Sequence, residues 1–228
     1  MLQPIRRAAC AALVLSALPA AGAAAATVHV RVEGAKRNLV DRTVRTPGGT
    51  VGKSDDPAQR CRGGSALGAI DRATRGRWDG RWFEGLGWSV DTVRGERHDG
   101  TKTYFAFWRN HRMAMQGACA TTVKNGDELL LFVDKATPGG DPVLPLEVRA
   151  PARATTGRTV RVLVVRYTPK GKARRVAGAT VRGGGEVART NRRGVARLRF
   201  DRAGRIALRA TKEGLVRSGA DVVRVRRS

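Results

Sequence analysis

Val28, Val30 and Val32 alternate with His29, Arg31 and Glu33. A period of two places the valines on one face of a strand and the polar residues on the other. Gly34-Ala35-Lys36 turns the chain, a second strand is expected near Leu39–Thr46, and Pro47-Gly48-Gly49 ends it. The period then changes. Ser65 suits a helix N-cap, Leu67, Ile70 and Ala73 recur at helical spacing, and Gly76 is a stop signal. Strand patterns return at Trp88–Arg94, Tyr104–Trp108 and Asp127–Val133, with a shorter one near Met113–Gln116 and a turn signal at Asn125-Gly126. Hairpin, helix, then further strands predict an α+β roll with one helix across one sheet.

After position 145 only strand patterns occur. Thr159–Tyr167, Val176–Val181, Glu186–Thr190, Val195–Phe200, Arg205–Ala210 and Asp221–Val225 are separated by glycines, Pro169 and Asn191. Gly183-Gly184-Gly185 lacks a following helix and lysine, so it is a turn and not a phosphate loop. Six short strands at this spacing predict a β-sandwich. Pro138, Gly139, Gly140 and Pro142 interrupt regular structure between the two regions. The expected organisation is a leader at 1–26, an α+β domain at 27–134, a linker at 135–144 and an all-β domain at 145–228.

The leader has Arg6 and Arg7, an uncharged stretch from Ala8 to Ala26 with an apolar centre at Leu13–Leu18, and a small-residue end at Ala24-Ala25-Ala26. That is the anatomy of a cleaved secretory signal peptide, with a retained anchor as the alternative. A secreted or cell-surface location follows. Cys10 leaves with the leader, and Cys61 and Cys119 are then an even pair in an oxidising compartment, expected to form a disulfide.

Charge divides the chain further. The 228 residues carry a net +25. Residues 27–133 hold 18 basic against 12 acidic side chains, and residues 145–228 hold 23 against 5. Alternation places Arg197, Arg199, Arg209, Arg224 and Arg226 on solvent faces of their strands. They are the candidate contacts for an anionic cell-envelope polymer, against a general preference for arginine at solvated positions. Sequence-specific nucleic-acid binding is not expected, because Tyr167 and Phe200 are the only rings after residue 145.

Catalytic signals are weak throughout. His29, His98 and His111 lie far apart, without the spacing of a metal helix. Ser65 lacks the glycine two residues later that a nucleophile elbow needs. Asp55 and Asp56 are neighbours and point apart on an extended chain. The expectation is a protein with no catalytic residues, no metal and no cofactor. The aromatics are more informative: Trp78, Trp82, Phe83, Trp88, Tyr104, Phe105, Phe107 and Trp108 fall within one short region. Tyr104, Ala106 and Trp108 share one strand face, and Phe105 and Phe107 the other. One set belongs to the core. The other is either a ligand platform or a second small core, with the 78–87 segment as the expected cover.

Several segments together resemble a known family. They are the V-x-V-x-V opening strand, Cys61 with Ser65-Ala66-Leu67-Gly68-Ala69, the Trp78–Gly87 segment, Tyr104–Asn110, Gln116-Gly117 and Asn125-Gly126-Asp127-Glu128. The region resembles the transcobalamin-like C-terminal family, a β-grasp module of exported bacterial proteins. In its vitamin-carrying animal relatives the module forms one side of a cobalamin site. No segment here reads as the helical barrel that completes that site, so the resemblance implies a fold more than a vitamin. Trp108 and Gln116 occupy matching family positions, and with Trp82 they are the expected contacts of a small molecule or peptide. In the second region, Ala177–Val181 and Thr190–Ala196 resemble bacterial immunoglobulin-like and carboxypeptidase-regulatory-like sandwiches, which implies a spacer or tether. The expected whole is a β-grasp roll with one helix followed by an immunoglobulin-like β-sandwich, non-catalytic and ligand-binding. The alternative is an envelope protein adhering to anionic polymer through its basic half.

Overall fold

A computed structural model describes residues 25–137 and 139–228. Most of the leader, residues 1–24, lies outside the described residues. Ala26 already belongs to the fold: it is buried, its N–H donates to Thr46 Oγ1 at 2.9 Å, and its carbonyl accepts from Thr46 N at 2.8 Å.

The opening alternation forms β1 (Thr27–Glu33), which pairs antiparallel with β2 (Asn38–Arg45). Helix α1 (Ala66–Thr74) follows, with the Ser65 hydroxyl accepting from Gly68 N at 3.2 Å as the N-cap. Gly68 is required there, because a Cβ would sit 1.9 Å from the Gly63 carbonyl oxygen. Strands β3 (Thr103–Arg109), β4 (Arg112–Met113) and β5 (Glu128–Lys135) complete one sheet in the order β4-β3-β5-β1-β2. β1 and β5 run parallel at its centre and the other pairs are antiparallel. Leu67, Ile70 and Ala73 of α1 pack on Val28, Val30, Val32, Phe105, Leu129 and Leu131. The helix therefore covers one face of the sheet with the apolar members of each alternation.

The continuous strand expected over Trp88–Arg94 is broken. Trp78–Asp79 pairs with Thr92–Val93, and Trp82–Phe83 with Gly87–Trp88, so the register slips by one residue between the two pairings. At the slip Gly80 lies against Ser89, whose carbonyl oxygen would be 1.9 Å from a Cβ at that position. The Trp88 ring packs edge-on to Trp78 and Trp82. Nearby, Cys61 and Cys119 are joined in a disulfide, as the cysteine count predicts.

The second region is built entirely of strands: β6 (Leu144–Arg149), β7 (Arg153–Thr155), β8 (Thr159–Tyr167), β9 (Ala173–Arg175), β10 (Thr180–Gly183), β11 (Glu186–Arg189), β12 (Val195–Arg199), β13 (Gly204–Thr211), β14 (Leu215–Val216) and β15 (Asp221–Arg226). One sheet has the order β9-β8-β6-β14, with β12 also on β8; the other is β7-β15-β13-β10-β11. Val160, Val162, Val164, Leu198, Phe200, Leu208 and Val223 fill the space between them. The strand expected over Val176–Val181 is instead a crossing. Val176 N bonds Val164 O on the first sheet, Gly178 turns at φ 69°, and β10 joins the second sheet. Between the two regions, β5 ends at Lys135 and β6 begins at Leu144.

The face of the first sheet opposite α1 is not covered by the 78–87 segment. Ala106, Trp108 and Phe132 on that face pack against Val165, Tyr167 and Val216 of the second region, with Tyr104 and Leu163 at the edge. Tyr104, Ala106 and Trp108 do share this face while Phe105 and Phe107 join the helix side, as alternation predicts. The cover comes from residues far along the chain, which short-range pattern does not reveal. Overall the described chain is mostly β-strand with one α-helix.

Candidate functional site

The contact between the two regions has an apolar middle and a polar end. On β1 the residues left over by the valine alternation, His29, Arg31 and Glu33, face the second region, and Asp41 stands opposite Arg31 on β2. On β6, Leu146 and Val148 enter the sandwich core, which leaves Glu147 and Arg149 on the other face. Between these elements lies a cleft of about 490 Å³, lined among others by His29, Arg31, Asp41, Trp108, His111 and Tyr167. A second hollow of about 440 Å³, lined by Phe132, Val143, Leu215 and Val216 among others, opens elsewhere along the same contact.

Tyr167 organises one wall. Its hydroxyl donates to Glu147 Oε2 and accepts from Arg149 Nη2 at 2.6 Å. Arg149 Nε also reaches Glu147 at 3.1 Å. Burial, then the bond to Glu147, pushes the Tyr167 phenol up to about 12, so it stays protonated. The His111 ring stacks on Tyr167 with centroids 4.1 Å apart and planes 8° from parallel. His111 is delivered there by the two-residue turn between β3 and β4, in which Asn110 and His111 have φ of 50° and 63°. The turn is held by its own bonds: Asn110 Oδ1 accepts from Glu128 N at 2.8 Å, and Asn110 Nδ2 donates to Asp127 at 2.7 Å.

Two ion-pair groups tie the regions together beside the cleft. Asp41 takes His29 Nε2 at 3.1 Å on one oxygen and Arg209 Nη2 at 3.1 Å on the other. The His29 bond first, against burial, and then Arg209 hold the Asp41 carboxyl down at about 2. Glu33, almost wholly buried, accepts from Arg31 Nη1 at 3.2 Å and Asn38 Nδ2 at 3.0 Å. Arg217 Nε lies 2.8 Å from its other oxygen, too bent for a hydrogen bond, so charge holds that contact. Burial pushes the Glu33 carboxyl up, opposed by Arg31, Asn38 and Arg217. Arg217 also donates to the carbonyls of Gly34 and Lys36, both at 2.6 Å. These groups build the walls, and each keeps one buried atom without a hydrogen bond, Arg209 Nη1 in the first and Glu33 Oε2 in the second.

Trp108 also holds an unpaired polar atom. Only 1% of it is exposed, it lines the cleft, and its indole Nε1 has no acceptor. A buried donor without a partner costs about 1–3 kcal/mol.

The predicted ligand residues do not converge. Trp108 lines the cleft. Trp82 packs edge-on to Trp88 at 5.8 Å on the helix side of the sheet, and Gln116 is exposed in the loop leading to Cys119. The predicted cationic face also divides. Arg197 and Arg199 stand exposed on β12 of one sheet, Arg224 and Arg226 on β15 of the other, and Arg209 is bound to Asp41. Period 2 orients each arginine but does not say which sheet its strand joins. The cleft residues His29, Asp41, His111, Glu147, Arg149 and Tyr167 were not among the expected site residues. The alternation at 28–33 does place His29, Arg31 and Glu33 off the core face, and Leu146/Val148 against Glu147/Arg149 carries the same signal. That the two polar faces meet is a tertiary fact.

Among the described residues no group of three or more His, Cys, Asp or Glu side chains is placed to hold a metal ion, and no helix is long and apolar enough to cross a membrane. No family model and no curated protein matches the chain. Among solved structures, the chain is similar to one from Ruminococcus gnavus described as a "putative metal binding protein", at 18% identity over 48% of this chain and 97% of that one, with a TM-score of 0.34. The superposition is too loose to speak for a shared fold, and the metal belongs to that protein's description alone.

Proposed function

We propose that this chain is an exported, non-catalytic binding protein that takes a small molecule or peptide into the cleft between a β-grasp roll and an immunoglobulin-like sandwich. The sheet order β4-β3-β5-β1-β2, with parallel β1 and β5 at the centre and one crossing helix, supports the β-grasp reading. Two sheets packed face to face support the sandwich reading. The Cys61–Cys119 disulfide fits an oxidising compartment.

The observation that carries the binding reading is Trp108, which lines a cleft of ligand size and whose buried Nε1 has no partner. A ligand that presents a hydrogen-bond acceptor, such as a carbonyl, hydroxyl or carboxylate oxygen, satisfies it. The test is capture from a mixed metabolite and peptide extract, followed by native mass spectrometry of the protein. Trp108→Phe keeps an aromatic ring and removes only the donor. Wild type should retain a small-molecule adduct that Trp108→Phe binds about tenfold more weakly, the worth of one hydrogen bond. An adduct held equally by both proteins would contradict the reading.

A further inference from the structure

The outer face of the sheet β7-β15-β13-β10-β11 meets the first region at Arg209, which stands opposite Arg182 and is bound to Asp41, and beyond Arg209 it carries further arginines. The register sets Arg153 opposite Arg224, and Arg224 opposite Arg205, so three arginines stand side by side on adjacent strands. Neighbouring strands are about 5 Å apart. Arg182, Arg189 and Arg226 stand on the same face, and all six are exposed. Among the described residues none of the six has a carboxylate within 4.0 Å. Like charges directly opposite each other destabilise a sheet. An anionic partner relieves that repulsion.

Apolar residues are interleaved with the arginines. Val222 stands opposite Ala207, and Val187 opposite Arg182. Both valines are exposed, at 38% and 59%. We propose that this face docks on an anionic lipid bilayer. Three features favour a bilayer over a dissolved polymer or nucleic acid. The arginines are spread in two dimensions across all five strands, matching a plane of headgroups more closely than a thread. The valines gain by leaving water at the headgroup boundary, whereas a chain of charges offers them nothing. The face carries no aromatic ring on which a base could stack.

The test is cosedimentation of the purified protein with vesicles of phosphatidylglycerol and phosphatidylcholine, beside pure phosphatidylcholine vesicles and dextran sulfate. Wild type should bind the anionic vesicles and not the neutral ones, with binding lost as salt is raised. The triple variant Arg153→Glu, Arg205→Glu, Arg224→Glu should weaken vesicle binding by at least about 100-fold, given roughly 1 kcal/mol per basic residue near such a surface. Arg161→Glu, Arg197→Glu, Arg199→Glu makes the same charge change on the other sheet and should weaken it far less. The surface pair Val187→Ser, Val222→Ser should lower vesicle binding several-fold and leave dextran sulfate binding unchanged. Unaltered circular dichroism keeps each variant interpretable. Equal losses from the two triple variants, vesicle binding untouched by the valine changes, or retention on dextran sulfate without vesicle binding would each overturn the proposal. None of these outcomes depends on whether the cleft takes a ligand.

Discussion

Tyr167 shows how much one side chain does at the join between the regions. It fills apolar space beside Trp108 and Phe132, stacks on His111, and seats its hydroxyl between Glu147 and Arg149. Tyr167→Phe keeps the packing and removes the hydroxyl, leaving Glu147 with one fewer donor. The expected cost is about 1–2 kcal/mol, read as a lower urea midpoint with an unchanged slope. Asp41 gives the same join a pH dependence. Its carboxyl sits at about 2 against an ordinary 3.8. A depressed acid stabilises the fold above its unfolded value, and that contribution is lost as the pH falls through the folded one. Stability should therefore decline from about pH 4 toward pH 2 by an amount that Asp41→Asn removes. With Asp41 partly solvated, the effect should be about 1 kcal/mol or less. A denaturant midpoint measured against pH for both proteins checks it.

At the scale of elements, the turn between β3 and β4 sets the position of His111. Its two residues both lie in the left-handed region, which is costly for side chains other than glycine. Asn110 offsets that cost with its bonds to Glu128 N and Asp127. Asn110→Ala loses the bonds and keeps the strain, whereas Asn110→Gly loses the bonds and relaxes the backbone. The glycine variant should be more stable than the alanine variant by about 1 kcal/mol, measured by thermal or urea unfolding. Much at this scale was legible in the sequence. Ser65 and the Leu67, Ile70, Ala73 spacing give the helix, and the valine alternation gives β1 with its two faces. Trp88–Arg94 misled because a one-residue slip at Gly80 leaves no mark on hydropathy. Val176–Val181 misled because its apolar residues are buried both before and after the crossing between sheets.

The whole molecule depends on a fact that local pattern cannot carry: the two regions meet face to face. Trp108 could be singled out from the sequence as a ring on the far side of the strand from the helix. Its partners Val165, Tyr167 and Val216 come from the second region, where they read as ordinary sandwich residues. The same packing that buries Trp108 leaves its indole N–H without an acceptor beside the cleft. Trp82 and Gln116, placed with Trp108 by sequence reasoning, lie away from that cleft. The most direct test follows the indole protons. The chain has four tryptophans, and the Trp108→Phe spectrum assigns one of the indole N–H signals in a nitrogen-15 correlation experiment. When the captured ligand is added, the Trp108 signal should move downfield and shift more than the other three. A Trp108 signal that stays in place while that of Trp82 moves would contradict the account.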